Sequence, residues 1–75
     1  MRVWIKFVTG KCVTIEVDPL DTIMDVKQRL EDKEGIPAHQ VALLYASQKL
    51  RDTATLYDNI PDESILHLDA SLAGG

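Results

Sequence analysis

The side chains and backbone groups of this sequence that could take part in chemistry are a single thiol, two imidazoles, scattered lysines and a closing glycine pair. Cys12 could act as a nucleophile with His39 or His67 as its base. The plainer role for Cys12 is an ordinary strand residue. One thiol forms no internal disulfide and supplies no multi-cysteine zinc site. A small chain without such staples must hold together by packing, which fits a reducing compartment. A cytoplasmic or nuclear location and no cofactor are therefore expected. Gly74-Gly75 admits two readings. It is a frayed terminus or linker, or a terminus made to enter a narrow enzymatic channel. Glycine lacks Cβ, so its backbone and terminal carbonyl can approach a nucleophile closely. On physics alone, both stay open.

Size and charge narrow the field. At 75 residues the chain is one small domain that buries about 60% of the surface its unfolded form exposes. That leaves room for one thin core but not for a second domain around a catalytic cleft. With 45% hydrophobic and 27% charged residues, the composition is that of a folded protein rather than a disordered one. No apolar run approaches the roughly 18 residues of a membrane span, and the first residues have no signal-peptide pattern. No membrane partner is expected. The net charge is −4, and residues 52–75 carry five acids and no Lys or Arg. Nucleic acid would meet no basic stripe. The cations, all within residues 1–51, read as a solvated surface.

The elements that must position these groups follow from periodicity. Val3, Ile5 and Phe7 alternate with Arg2, Trp4 and Lys6, and Val13, Ile15 and Val17 alternate with Cys12, Thr14 and Glu16. Thr9-Gly10-Lys11 turns the two runs into a β-hairpin. Trp4 falls on the polar parity. Thr22 is an N-cap with Asp25 as its capping-box partner, and Ile23, Val26 and Leu30 form a helical stripe. Gly35 and Pro37 stop a helix predicted over residues 23–34. Val41, Leu43 and Tyr45 then form one face of a strand, with Gln40, Ala42 and Leu44 on the other. Ser47-Gln48 turns the chain into a short strand around Lys49-Leu50. Residues 53–61 read as a loop with one helical turn at residues 55–58, before a last strand over residues 64–69. In that strand Leu66 and Leu68 alternate with Ile65, His67 and Asp69. The pattern predicts an α+β fold, a mixed sheet with one helix across a face. The expected division is a domain over residues 1–69 and a flexible tail over 70–75.

These residues resemble ubiquitin. The matches include Met1, Lys6, Thr9-Gly10-Lys11, Glu16-Val17, Pro19, Asp21-Thr22-Ile23 and Val26-Lys27. They continue through the unbroken run Asp32-Lys33-Glu34-Gly35-Ile36-Pro37, then Gln40, Leu43, Thr55-Leu56, Asp58, Glu63-Ser64, Leu66-His67-Leu68, Leu72 and Gly74-Gly75. The resemblance covers the whole chain and implies the β-grasp fold, with about five strands on one α-helix. It also implies a protein modifier that is no enzyme. Gly75 would be adenylated, passed to enzyme cysteines as a thioester, and joined to a substrate lysine by an isopeptide bond, with Gly74 keeping the tail slim. The implied partners are activating, conjugating and deconjugating enzymes and substrate proteins, met by a monomer.

The resemblance further places Lys6, Lys11, Lys27 and Lys33 at chain-acceptor positions. The plain alternative for each is a surface charge, or for Lys27 a partner to a nearby acid. Arg29, Gln48 and Asp62 stand where the family has other acceptor lysines, and Lys49 is displaced from one of them. The family's partner-binding patch maps to Val8, Leu44 and Asp69, flanked by His67. Asp69 sets a carboxylate where an aliphatic belongs, which weakens standard receptors and favours a partner offering a cation. Family cations are also absent at Ala42, Ser71 and Ala73, and one loop residue is missing near Asp58-Asn59. Two other functions stay in view. One is a ubiquitin-like domain that docks partners and is never conjugated. The other is a sulfur carrier, against which the run over residues 32–37 argues.

Overall fold

Alternating apolar residues build the first hairpin. In the computed structural model, which describes residues 1–69, β1 (Arg2–Lys6) and β2 (Cys12–Glu16) pair antiparallel. Val3 faces Ile15 and Ile5 faces Val13 across the pair, and all four side chains point into the core. Gly10 adopts φ 93° in the connecting loop, a left-handed backbone that a Cβ disfavours. The expected tail over residues 70–75, with Gly74 and Gly75, lies outside the described residues.

Local chemistry sets both ends of α1 (Ile23–Glu34). The Asp25 N–H donates to Thr22 Oγ1 at 3.3 Å and the Thr22 N–H donates to Asp25 Oδ2 at 2.9 Å, a closed capping box. At the other end Gly35 turns at φ 76° and its N–H donates to the Glu31 carbonyl at 2.7 Å. The inward stripe of α1 holds Ile23, Val26 and Leu30, and also Lys27. A 3-10 turn at Ala38–Gln40 leads into β3 (Ala42–Tyr45), followed by β4 (Gln48–Lys49), a single helical turn α2 (Leu56–Asn59) and β5 (Ile65–Asp69).

The five strands form one mixed sheet in the order β2-β1-β5-β3-β4, with β5 parallel to β1 and antiparallel to β3. One cluster of buried aliphatics joins the inner faces of β1, β2, β3 and β5 to α1 and to Leu56 and Ile60. Full burial of each such side chain stabilises by roughly 1.5–3 kcal/mol. This is the α+β β-grasp arrangement. Its outer sheet face is left to solvent, and the strand register decides which side chains meet there.

Two details depart from the expected pattern. The turn after β3 falls at Ala46-Ser47 rather than Ser47-Gln48, so β4 is Gln48–Lys49. Both turn residues sit at positive φ, 52° and 68°. That backbone follows the twist of a two-residue hairpin, and neither residue is the Gly or Asn that would announce it. Alternation puts Ala42 on the face opposite Val41, Leu43 and Tyr45, yet it is only 2% exposed, opposite Asp69 of β5.

Candidate functional site

The outer sheet face is built by cross-strand register. Leu44 of β3 lies opposite His67 of β5, and His67 lies opposite Lys6 of β1. Three strands therefore present one row, Leu44–His67–Lys6. Val8 stands beside this row on the hairpin loop and is 88% exposed. Asp69 is half-buried on the same side of β5 as His67, while Leu66 and Leu68 point into the core. Val8, Leu44, His67 and Asp69 all line one shallow hollow of about 450 Å³. The structure thus gathers all four expected partner-binding residues onto one surface.

That surface extends further than the expected four. Leu44 and His67 also line an adjoining hollow with Ile65, which is 54% exposed. Ile65 is the register partner of Trp4 on β1. Strand alternation already pointed Ile65 and Trp4 outward. Only the parallel pairing of β5 with β1 shows that they are neighbours.

The expected acceptor lysines divide in two. Lys6 is exposed on β1. Lys11 is exposed, pairs with Glu34 Oε1 at 2.6 Å and lies 5.8 Å from the Phe7 ring centroid. The exposed Lys33 donates to the Thr14 carbonyl at 2.9 Å. Lys27 is buried rather than at the surface and takes the alternative role, that of partner to an acid. It is 4% exposed, and its Nζ donates to Asp52 Oδ1 at 2.5 Å. Its place on the core stripe of α1, with a carboxylate 25 residues away in sequence, makes it structural in this conformation.

Of the three positions where other residues replace family lysines, Arg29 and Asp62 hold contacts of their own. Arg29 pairs with Asp21 at 3.1 Å and donates to the Glu16 carbonyl at 2.7 Å. Gln48 is exposed on β4. Asp62 accepts from the Arg2 N–H at 2.8 Å, and that bond, foremost, holds its carboxyl below the ordinary aspartate range.

The register gives no support to a Cys12–His67 nucleophile pair. Cys12 and His67 are both paired with Lys6, one on each side, so their strands are about 10 Å apart. A base must lie within about 3.2 Å of its nucleophile. Among the described residues no group of three His, Cys, Asp or Glu side chains is placed to hold a metal ion. No described helix is long and apolar enough to cross a membrane.

Comparison with known proteins agrees with this fold. A model of the ubiquitin family matches residues 3–72. The chain is 38% identical over 76 residues to the ubiquitin-like protein NEDD8 of Dictyostelium discoideum, covering 100% of this chain and 99% of that one. It is 39% identical over 77 residues to ubiquitin-like protein 1 of Schizosaccharomyces pombe, covering 100% and 97%. It is also similar to AN1-type zinc finger protein 4 of Mus musculus, 33% identical over 76 residues that cover all of this chain and 10% of that protein.

Proposed function

This chain belongs to the ubiquitin family, whose modifier members are non-enzymatic protein tags, and on that premise we propose that it is a modifier conjugated through Gly75. Its Gly75 carboxylate attacks the α-phosphate of ATP within an activating enzyme, releasing pyrophosphate and leaving an acyl adenylate. An enzyme thiolate then displaces AMP to give a thioester, and a substrate lysine amine displaces the thiol to give the isopeptide. The domain supplies no catalytic group. It is the acyl group that is carried, and it is the surface by which enzymes and receptors recognise it.

The Gly74-Gly75 pair following a family-wide match carries this reading. Two glycines present a backbone without side chains to the activating enzyme. Asp69 beside Leu44 and His67 supports an altered choice of receptors, namely partners that bring a cation to that edge. The absence of cations at Ala42, Ser71 and Ala73 supports a dedicated activating enzyme, or none under the second reading below. The cytoplasm and nucleus are where such a cycle would run.

The direct biochemical test uses host-cell lysate, magnesium and ATP. The purified chain should form adducts that reductant releases, and Gly75→Ala should form none. A second reading is a docking domain that is never conjugated. The similarity to AN1-type zinc finger protein 4, of which this chain spans only a tenth, supports it. Partner binding on the Leu44 face with no ATP-dependent adduct would favour that reading.

A further inference from the structure

A second recessed surface lies away from the outer sheet face. It is a cleft of about 560 Å³ lined by Lys27, His39, Val41, Lys49, Leu50, Arg51 and Asp52. It shares no lining residue with the two hollows around Leu44 and His67. Four parts of the chain converge there: α1, the 3-10 turn, β4 and the segment following β4.

The charge balance of this cleft is set by one buried contact. Its single carboxylate, Asp52, is taken by the Lys27 ammonium at 2.5 Å, and Lys27 is 4% exposed. A buried ammonium cannot give up its partner cheaply. Asp52 is therefore not free to neutralise the rim. Lys49 and Arg51 are exposed, and among the described residues neither has a carboxylate within ion-pair distance. His39 stands beside them, exposed, with Val41 and Leu50 as the apolar floor. A chain of net charge −4 thus holds a concave spot of uncompensated positive charge.

We propose that this cleft binds a short acidic peptide segment of a partner protein, with carboxylates facing Lys49 and Arg51 and an aliphatic side chain against Leu50. A hollow of this size accepts a few side chains, not a folded domain. Two exposed cations and one imidazole are too few for nucleic acid, which needs an extended basic track. Arg51 supplies the planar fork that takes a carboxylate in two parallel bonds. The site does not depend on Gly75, so it stands whether or not the chain is conjugated.

The test titrates the full ¹⁵N-labelled chain with a short capped peptide of alternating Glu and Leu. A second peptide carries Lys in place of each Glu. Saturable amide shifts are expected around His39, Lys49 and Arg51 with the acidic peptide alone, and weakening as salt rises. The Lys49→Gln/Arg51→Gln variant should raise Kd by about tenfold or more, while Arg2→Gln, at an exposed cation on β1 away from the cleft, should leave it unchanged. Amide shifts away from the cleft would show that the double variant remains folded. The proposal is overturned by no saturable shift at millimolar peptide, by shifts confined to Val8, Leu44 and His67, or by equal binding of the Lys peptide. Shifts at the cleft that depend on protein concentration without peptide would seat a second copy there, and would overturn it too.

Discussion

The Lys27 ammonium, on the core-facing stripe of α1, is held by the Asp52 carboxylate on the segment that follows β4. This contact joins the helix to the β4 side of the sheet. It also removes both groups from other uses, Lys27 as an acceptor amine and Asp52 as a counter-charge for Lys49 and Arg51.

The two halves of this pair should respond unequally to mutation. Asp52→Ala strands a buried ammonium. Asp52 is itself 47% exposed, so the expected loss is about 2–3 kcal/mol, below the roughly 3–5 kcal/mol of a fully buried pair. Lys27→Met leaves a carboxylate that water can solvate and fills the same volume with an apolar side chain, so its loss should be smaller. Urea midpoints of the two variants measure the difference. Equal losses would contradict the asymmetry.

Acid should weaken the N-terminus of α1. Asp25 is held below its ordinary range first by the Thr22 backbone N–H, then by the Thr22 side chain, with Arg29 adding a favourable charge. A carboxyl whose pKa is lower in the folded state stabilises the fold above its unfolded value, about 3.9. That contribution is lost as pH falls through the lower, folded value. The stability of the wild type should therefore fall more steeply between pH 5 and pH 2 than that of Asp25→Asn, read as urea midpoint against pH.

The turn between β3 and β4 carries removable strain. Ser47 sits at φ 68°, a region that costs an L-residue about 1–2 kcal/mol relative to glycine. The unfolded chain gains freedom from a glycine, which offsets part of this. Ser47→Gly should stabilise by roughly 0.5–1 kcal/mol in thermal or urea unfolding. A destabilised variant would show that the Ser47 side chain contributes more than its backbone strain.

Asp69 should govern receptor choice. Asp69→Val restores an aliphatic beside Leu44 and Val8. It should strengthen binding to ubiquitin receptors that dock on an aliphatic patch by about tenfold or more, the scale of one hot-spot residue. Isothermal titration of one such receptor against both chains measures it. Unchanged affinity would mean that this edge of β5 is not read.

What the residues disclosed in advance was mostly local. Thr22, Asp25 and Gly35 announce the ends of α1 because capping chemistry acts over three or four residues. The outward parity of Trp4, Ile65, His67 and Asp69 follows from strand alternation. The Ala46-Ser47 turn was hidden because its backbone is held by strand pairing rather than by turn residues. Lys27 read as an acceptor, a surface charge or the partner of an acid, and which acid stayed hidden because Asp52 lies 25 residues away. For the same reason the cleft around His39, Lys49 and Arg51 was not visible: scattered cations become a cluster only once α1, the 3-10 turn and β4 are packed together. The candidate patch of Val8, Leu44, His67 and Asp69 came from the resemblance, and its neighbours Ile65 and Trp4 only from the register.

Conjugation through Gly75 is the central claim, and one blot tests it most directly. An N-terminally tagged chain is expressed in its own host cells beside Gly75→Ala and Gly75-deleted versions, and denatured lysates are probed for the tag. The account predicts a ladder of heavier bands that withstands reductant and disappears in both altered versions. Free protein alone in all three versions, or a ladder that persists without Gly75, would contradict it.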